Sequence, residues 1–393
     1  MKFNFFFSKS KKPEYFLVLD IGTETIKTLI FKKENNKNII LGRILEYFAT
    51  PEVFGDFNFQ EEILQKTISK AIDEVQKIAK TKIKNLSLSL PNNILRGRII
   101  WQNFQRKNPK ETINDIEERK IYGEVFNQIK IKLSQEFVQK TGLLPQDFYF
   151  SNLKILETKI DGYEVPSIQN LNGQNLEFNV LAVFISKYQL EKIKKICQNL
   201  NLKISKIVHL AENLPYLLLD EKINAIFIDV GGKLTNIFLV ERGELVGISE
   251  FEKGGADFTQ QVSQNLGLFF PESRVLKEDY SKLLLSKEVS QRFKEIFSNT
   301  LQNWFENLKE NFKKFPHRLL PSNLFLFGGG SLLPEIPEIL EKGNFANLTF
   351  ISKPKIGLIY PKNLKDIEDK NHILNTPQDV PLLLISYEQK KFF

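Results

Sequence analysis

The stretch FLVLDIGTETIKTLIF, residues 16–31, decides the reading of this chain. Apolar residues run straight into Asp20 and Gly22, a polar turn follows, and Lys27 leads into a second apolar run. A carboxylate at the end of a buried strand is costly to desolvate unless something meets it. Much later AIFIDVGGKLTNIFLV, residues 225–240, repeats the arrangement, with Asp229 and Gly231 lying 209 positions beyond Asp20 and Gly22. A turn containing glycine lets backbone N–H groups approach a polyanion with no Cβ in the way. Two such hairpins could clamp a phosphate chain from opposite sides.

Around these hairpins the pattern is α/β. Strands are expected over 16–20, 26–33 and 38–48, then a helix over 60–80 whose apolar residues recur at three- and four-residue steps. NLSLSL (85–90) alternates as a strand does. FNVLAVFIS (178–186) reads as a buried strand and 187–200 as a helix. From residue 223 the order restarts: INAIFIDV, LTNIFLV and GELVGISEF as strands, a helix at 256–266, and a long amphipathic helix over 287–315. That helix places Val289, Phe293, Ile296, Phe297, Leu301, Trp304, Phe305, Leu308 and Phe312 on one face, which reads as core. NLFLF (323–327), a glycine turn and a helix over 334–342 complete the second copy. Duplication of one α/β unit is the economical account.

Composition narrows the function. The 393 residues are 42% hydrophobic, ample for a real core. One cysteine, Cys197, excludes a disulfide framework and a Cys-based metal cluster. His209, His317 and His372 are too scattered to share a metal. No apolar run approaches the ~20 residues of a membrane helix, and no cleavable signal is seen. The net charge of +8 is spread among glutamates, and no nucleic-acid-binding motif is present. There is no GxxxxGK[ST], and GGGS at 328–331 is not GxGxxG, so P-loop and dinucleotide folds are disfavoured.

The hairpins carry the candidate chemistry. Thr23, Thr25 and Thr235 add hydroxyl donors, and Asp20 and Asp229 could hold the waters of a hydrated Mg2+, which keeps most of its shell. Lys27 could return across the first hairpin to a phosphate. Gly328, Gly329, Gly330 and Ser331 form a third turn, where backbone could approach a nucleoside.

DIGTETIK (20–27), DVGGKLTN (229–236) and FGGGSLLPEI (327–336), in this order, resemble the two phosphate motifs and the adenosine motif of the actin-like ATPase superfamily. The resemblance implies a duplicated, ribonuclease H-like, two-lobed ATPase fold over residues about 14–393. Within that superfamily the chain resembles the bacterial FtsA cell-division family, with the PilM family of type IV pilus assembly as close rival. Both carry a subdomain inserted late in the first lobe. Residues 86–185 take that place here, with KIDGYEVPSIQNLNGQNLEFNVLAVFIS (159–186) similar to the FtsA punctuation. On this reading 13–85 and 186–222 form the first lobe, and 223–393 the second. EKGGADFTQQVSQNLG (252–267) is similar to the segment after the second motif, which adds Gly254 and Gly255 to the cofactor set. SRVLK (273–277) is similar to the nucleotide-contacting turn, which adds Lys277.

The resemblance implies ATP and Mg2+ between the lobes, bound by the hairpins with Gly231, Gly232 and Lys233, and head-to-tail self-assembly. It implies a place on the inner face of the cell membrane, at an anionic surface, tethering an FtsZ-like tubulin homologue. For the PilM family it implies a cytoplasmic part of a pilus or secretion machine; a small-molecule kinase is a third reading. The chain departs from the pattern at Lys233 and Asn236, where the second motif has glycine and aspartate. Lys233 either pairs a phosphate or marks a degenerate site. In HLAENLPYLL (209–218) Glu212 is the candidate for orienting the attacking water, or else an ordinary helix residue. Slow hydrolysis at most is expected. Residues 1–12, MKFNFFFSKSKK, combine phenylalanines with lysines and read either as an interfacial membrane anchor or as a segment docked on the domain.

Overall fold

A computed structural model describes residues 14–48, 59–217, 222–315 and 319–387. The segment 1–12 and His317 lie outside the described residues. The chain starts with a meander, β1 (Glu14–Ile21), β2 (Thr25–Glu34) and β3 (Lys37–Tyr47), followed by α1 (Glu61–Ala79) and β4 (Asn85–Ser89). A second group follows: β5 (Arg96–Gln105), α2 (Asp115–Thr141), β6 (Phe148–Ile160), β7 (Tyr163–Glu164) and β8 (Asn175–Ser186). Helix α3 (Lys187–Asn199) and β9 (Lys203–Ile207) return to the first sheet. The later half contains β10 (Ala225–Val230), β11 (Thr235–Glu241), β12 (Glu244–Phe251), α4 (Gly255–Leu266), α5 (Phe270–Ser281) and α6 (Lys287–Phe312). It continues through β13 (Asn323–Phe327), α7 (Glu335–Lys342), β14 (Lys355–Leu358), β15 (Ile367–Glu368) and α8 (Val380–Ser386).

The duplication is visible in strand order. The first sheet runs β15-β3-β2-β1-β4-β9 and the second β12-β11-β10-β13-β14. In each, a central strand pairs antiparallel with the next strand and parallel with a later one: β1 with β2 and β4, β10 with β11 and β13. This brings the hairpin tips Asp20 and Asp229 to equivalent edges of two sheets. The inserted sheet, β5-β8-β6-β7, covers one face with α2, whose Ile121, Val125, Ile129, Leu133 and Phe137 are buried at four-residue steps. Asn114 caps α2 by accepting from the Ile116 and Glu117 amides, and Gly142, at φ 71°, ends it in the left-handed conformation.

Several expectations of the sequence shift. β4 pairs with β1 in the first sheet, so the inserted sheet starts at Arg96 rather than residue 86. Its last strand serves two cores, because alternate side chains of a strand face opposite ways: Leu181, Val183 and Ile185 face the first, Val180, Ala182 and Phe184 the inserted one. Residues 367–387 return to the first lobe although they follow the second in sequence. β15 pairs with β3, and all seven residues of α8 are buried, Leu382, Leu383 and Leu384 in the first-lobe core. A helix apolar all round must be enclosed. The segment Ser273–Lys277, read as a turn, is helical within α5, and α6 ends at Phe312 with Val289 exposed.

Candidate nucleotide-binding cleft

Strand pairing sets the cleft. In β1–β2, Asp20 lies opposite Lys27, whose Nζ is 3.0 Å from Asp20 Oδ2, both side chains only 10% exposed. In β10–β11, Asp229 lies opposite Asn236, whose Nδ2 donates to Asp229 Oδ2 at 3.0 Å. The Gly22 amide donates to Thr25 O at 2.8 Å and the Gly231 amide to Leu234 O at 2.9 Å, so the tips share one turn geometry. The register makes Asn236 the counterpart of Lys27, and Lys233 that of Glu24. The second jaw therefore holds its carboxylate with an amide where the first uses an ammonium.

The two tips meet across a cleft of about 440 Å3. Its walls include Asp20, Gly22, Thr23, Thr25 and Lys27 from the first hairpin, and Asp229, Gly231 and Gly232 from the second. Gly255, Lys277, Gly328, Gly329 and Gly330 complete the predicted set that lines it. The Lys233 amide donates to Thr23 Oγ1 at 2.9 Å, joining the jaws. The amides of Gly255 and Ala256 donate to the carbonyls of Gly231 and Gly232, so the start of α4 braces the second hairpin. Buried Lys277 donates to Gly255 O at 3.0 Å, and burial pushes its ammonium pKa down.

Five predicted residues are not among those lining the cleft. Thr235 is turned into the second-lobe core, donating to Lys253 O at 2.7 Å and accepting from Trp304 Nε1 at 2.9 Å. Ser331 donates back to Gly328 O at 2.7 Å. Gly254 is a packing glycine, since a Cβ there would lie 2.4 Å from Gly232 O. Lys233 contributes its backbone amide as described. Glu212 is the main correction: its Oε1 accepts from the His209 amide at 2.7 Å and its Oε2 from Asn152 Nδ2. A carboxylate so engaged in a buried turn ties the inserted sheet to the first lobe and does not face the cleft.

Among the wall residues that the sequence reading missed are Glu24, Tyr47, Asn92 and Glu278. Asn92 had a signal, since Pro-Asn-Asn, one residue beyond β4, is turn chemistry at the end of a strand parallel to β1. Tyr47 donates to Glu278 Oε1 at 2.6 Å, and the Arg274 guanidinium sits 4.0 Å from its ring centre, joining the lobes. Burial, then the Glu278 hydrogen bond, push the Tyr47 phenol pKa up.

The residues fit a nucleotide with its cation in a limited way. Glu24 Oε1 is buried without a hydrogen-bond partner among the described residues, and Glu24 lines the cleft together with Asp20 and Asp229. Among the described residues no group of three or more His, Cys, Asp or Glu could hold a metal ion directly. A divalent cation would therefore be held through its waters and the ligand's phosphates. At Gly328 and Gly330 a Cβ would come within 2.3 Å of Asp229 Oδ1 and 2.5 Å of Val230 Cγ1, so only bare backbone forms this wall.

Two buried groups give opposite pH dependences. Burial pushes Asp229 up to about 6 against an ordinary 3.8, and pushes His209 down to about 4 against 6.5. His209 packs against Gly97, where a Cβ would stand 2.7 Å from its ring. The stabilisation from protonated Asp229 is present below about pH 4 and lost as pH rises through about 6; that from neutral His209 is lost as pH falls through about 4. Relative to the unaltered chain, Asp229→Asn should gain stability as pH rises from about 4 to 6, and His209→Gln should lose it. Urea midpoints across that range check both signs.

The fold and the paired hairpins define an actin-like ATPase fold, a duplicated two-lobed α/β molecule, as the sequence implied. The chain is similar to the cell division protein FtsA of Enterococcus hirae, 22% identical over 375 residues, covering 89% of this chain and 81% of that one. No protein-family model matches it. Of solved structures, the PilM-PilN type IV pilus biogenesis complex superposes with a TM-score of 0.68 at 15% identity, covering 94% of this chain and 97% of that one. The ethanolamine utilization protein EutJ of Carboxydothermus hydrogenoformans gives 0.53 at 12% identity, covering 96% and 90%.

Proposed function

We propose that this chain is an FtsA-like, ATP-binding actin homologue that assembles at the inner face of the cell membrane and tethers an FtsZ-like division protein. The observation that carries ATP binding is the pair of equivalent hairpins facing each other across one cleft, each with a carboxylate held in register. The similarity to FtsA over most of the chain supports the division role. ATP would lie between the lobes, its phosphates against the hairpin turns and Lys27, its cation's waters on Asp20 and Asp229, its nucleoside near Gly328–Gly330. A bound cation would neutralise charge on the phosphates. Hydrolysis is slow at most, because Glu212 is engaged elsewhere. No helix among the described residues is long and apolar enough to cross a membrane.

Calorimetric titration with ATP and Mg2+ tests the first step: saturable binding is expected, and none would sink the reading. ATP-dependent filaments on anionic vesicles, recruiting purified FtsZ, test the second. A PilM-like role is the alternative, favoured by the inserted sheet, where Trp101 is 41% exposed under the Lys159 ammonium and Tyr163 is 78% exposed. Such a surface suits a short peptide from a membrane partner. Peptide capture there, without FtsZ recruitment, would select this role.

A further inference from the structure

One cleft contact has no counterpart in the first hairpin. Asn92 Nδ2 donates to Asn236 Oδ1 at 2.7 Å, and Asn236 Nδ2 donates to Asp229 Oδ2 at 3.0 Å. All three are nearly buried, with 4%, 6% and 6% exposure. Asn92 belongs to the first lobe, in the turn after β4; Asn236 and Asp229 belong to the second. In the first hairpin Lys27 reaches Asp20 within one lobe and has only donors to offer. Asn236 differs, because an amide has a donor end and an acceptor end. Whichever end Asn92 occupies leaves the other for Asp229. With Asn92 donating, the NH2 of Asn236 must face the carboxylate.

We infer that Asn92 is a positioning residue that acts through Asn236, so that Asp229 is set for the waters of a divalent cation only when the lobes are together. This rests on the ATP–Mg2+ reading above. The two lobes approach each other here through a buried, directional pair, so cation binding and lobe closure favour one another, and linkage requires that to hold in both directions. Thr23 Oγ1 and the Lys233 amide also join the lobes, but that contact leaves Asp229 untouched.

The test measures ATP affinity with and without Mg2+ for the full chain and for Asn92→Ala, Asn92→Leu, Asn236→Ala and the Asn92→Ala/Asn236→Ala pair. Asn92→Leu removes the donor at nearly the same size and adds no charge to the cleft, and a urea midpoint for each variant checks that it folds. The expected result is about a tenfold loss of affinity with Mg2+ for each variant and no change without it, the double variant being no worse than Asn236→Ala. Amide hydrogen exchange at 229–236 with ATP and Mg2+ should rise in Asn92→Ala. Equal losses with and without Mg2+, additive losses, or an unchanged Mg2+ effect would overturn the relay. An unaltered chain that binds no ATP fails the underlying reading instead.

Discussion

Asp20→Ala is expected to weaken ATP binding at least a hundredfold, about 2.8 kcal/mol, and to destabilise the fold at the same time. Asp20 and Lys27 form an ion pair whose side chains are each 10% exposed. Removing one member leaves the other charge buried and unpaired, which costs about 3–5 kcal/mol. Loss of binding in that variant would therefore be ambiguous by itself. Asp20→Ala/Lys27→Met separates the two effects. It removes both charges, and replacing a buried ion pair with apolar groups of similar size is close to neutral for stability. The double variant is expected to recover most of the urea midpoint and none of the ATP affinity. If it binds ATP as the unaltered chain does, the first hairpin is a structural feature only. If it stays as unstable as Asp20→Ala, the pair matters to the fold in some way beyond charge compensation.

Gly328→Ala is expected to be the most damaging single-carbon change in the cleft. Gly328 has φ 83° and ψ 165°, a backbone region essentially reserved for glycine, and forcing alanine into it costs about 1–3 kcal/mol. The new Cβ would also stand 2.3 Å from Asp229 Oδ1 and 2.7 Å from Val230 O. The clash pushes directly on the second-hairpin carboxylate, so stability and ATP affinity should fall together. Gly329→Ala provides the control one residue away. The nearest atoms to a Cβ there belong to the Gln378 side chain, at 3.4–3.5 Å, ordinary contact with a group that can move. Thermal melting should show a large fall for the first and a shift near zero for the second. Similar shifts would mean that the turn is looser than its geometry indicates.

Much of this molecule was legible in its sequence because the decisive information is local. A strand that ends in Asp-x-Gly, pairs with the next strand and recurs after 209 residues declares both the duplication and the hairpin tips. The sequence places Lys27 across the hairpin and leads it toward a phosphate; the strand register instead sets its ammonium against Asp20. The four-residue spacing of the apolar residues in α2 is equally local. What failed was direction and return. Thr235, Ser331 and Glu212 are the right residue types in the right segments, but their side chains are engaged by Trp304, Gly328 and Asn152, partners 3 to 69 residues away. Nor does periodicity reveal that residues 367–387 fold back onto the first sheet, since an all-apolar helix shows only that it is enclosed.

The division has a physical cause. By itself the sequence determined the two hairpins, their carboxylates and their glycines, because hydrogen bonding between neighbouring strands and the conformational freedom of glycine act over a few residues. Only the tertiary structure decided that the second carboxylate is held by Asn236 and, through it, by Asn92 from the other lobe. That contact joins residues 144 positions apart, and it exists because two lobes face each other across one cleft.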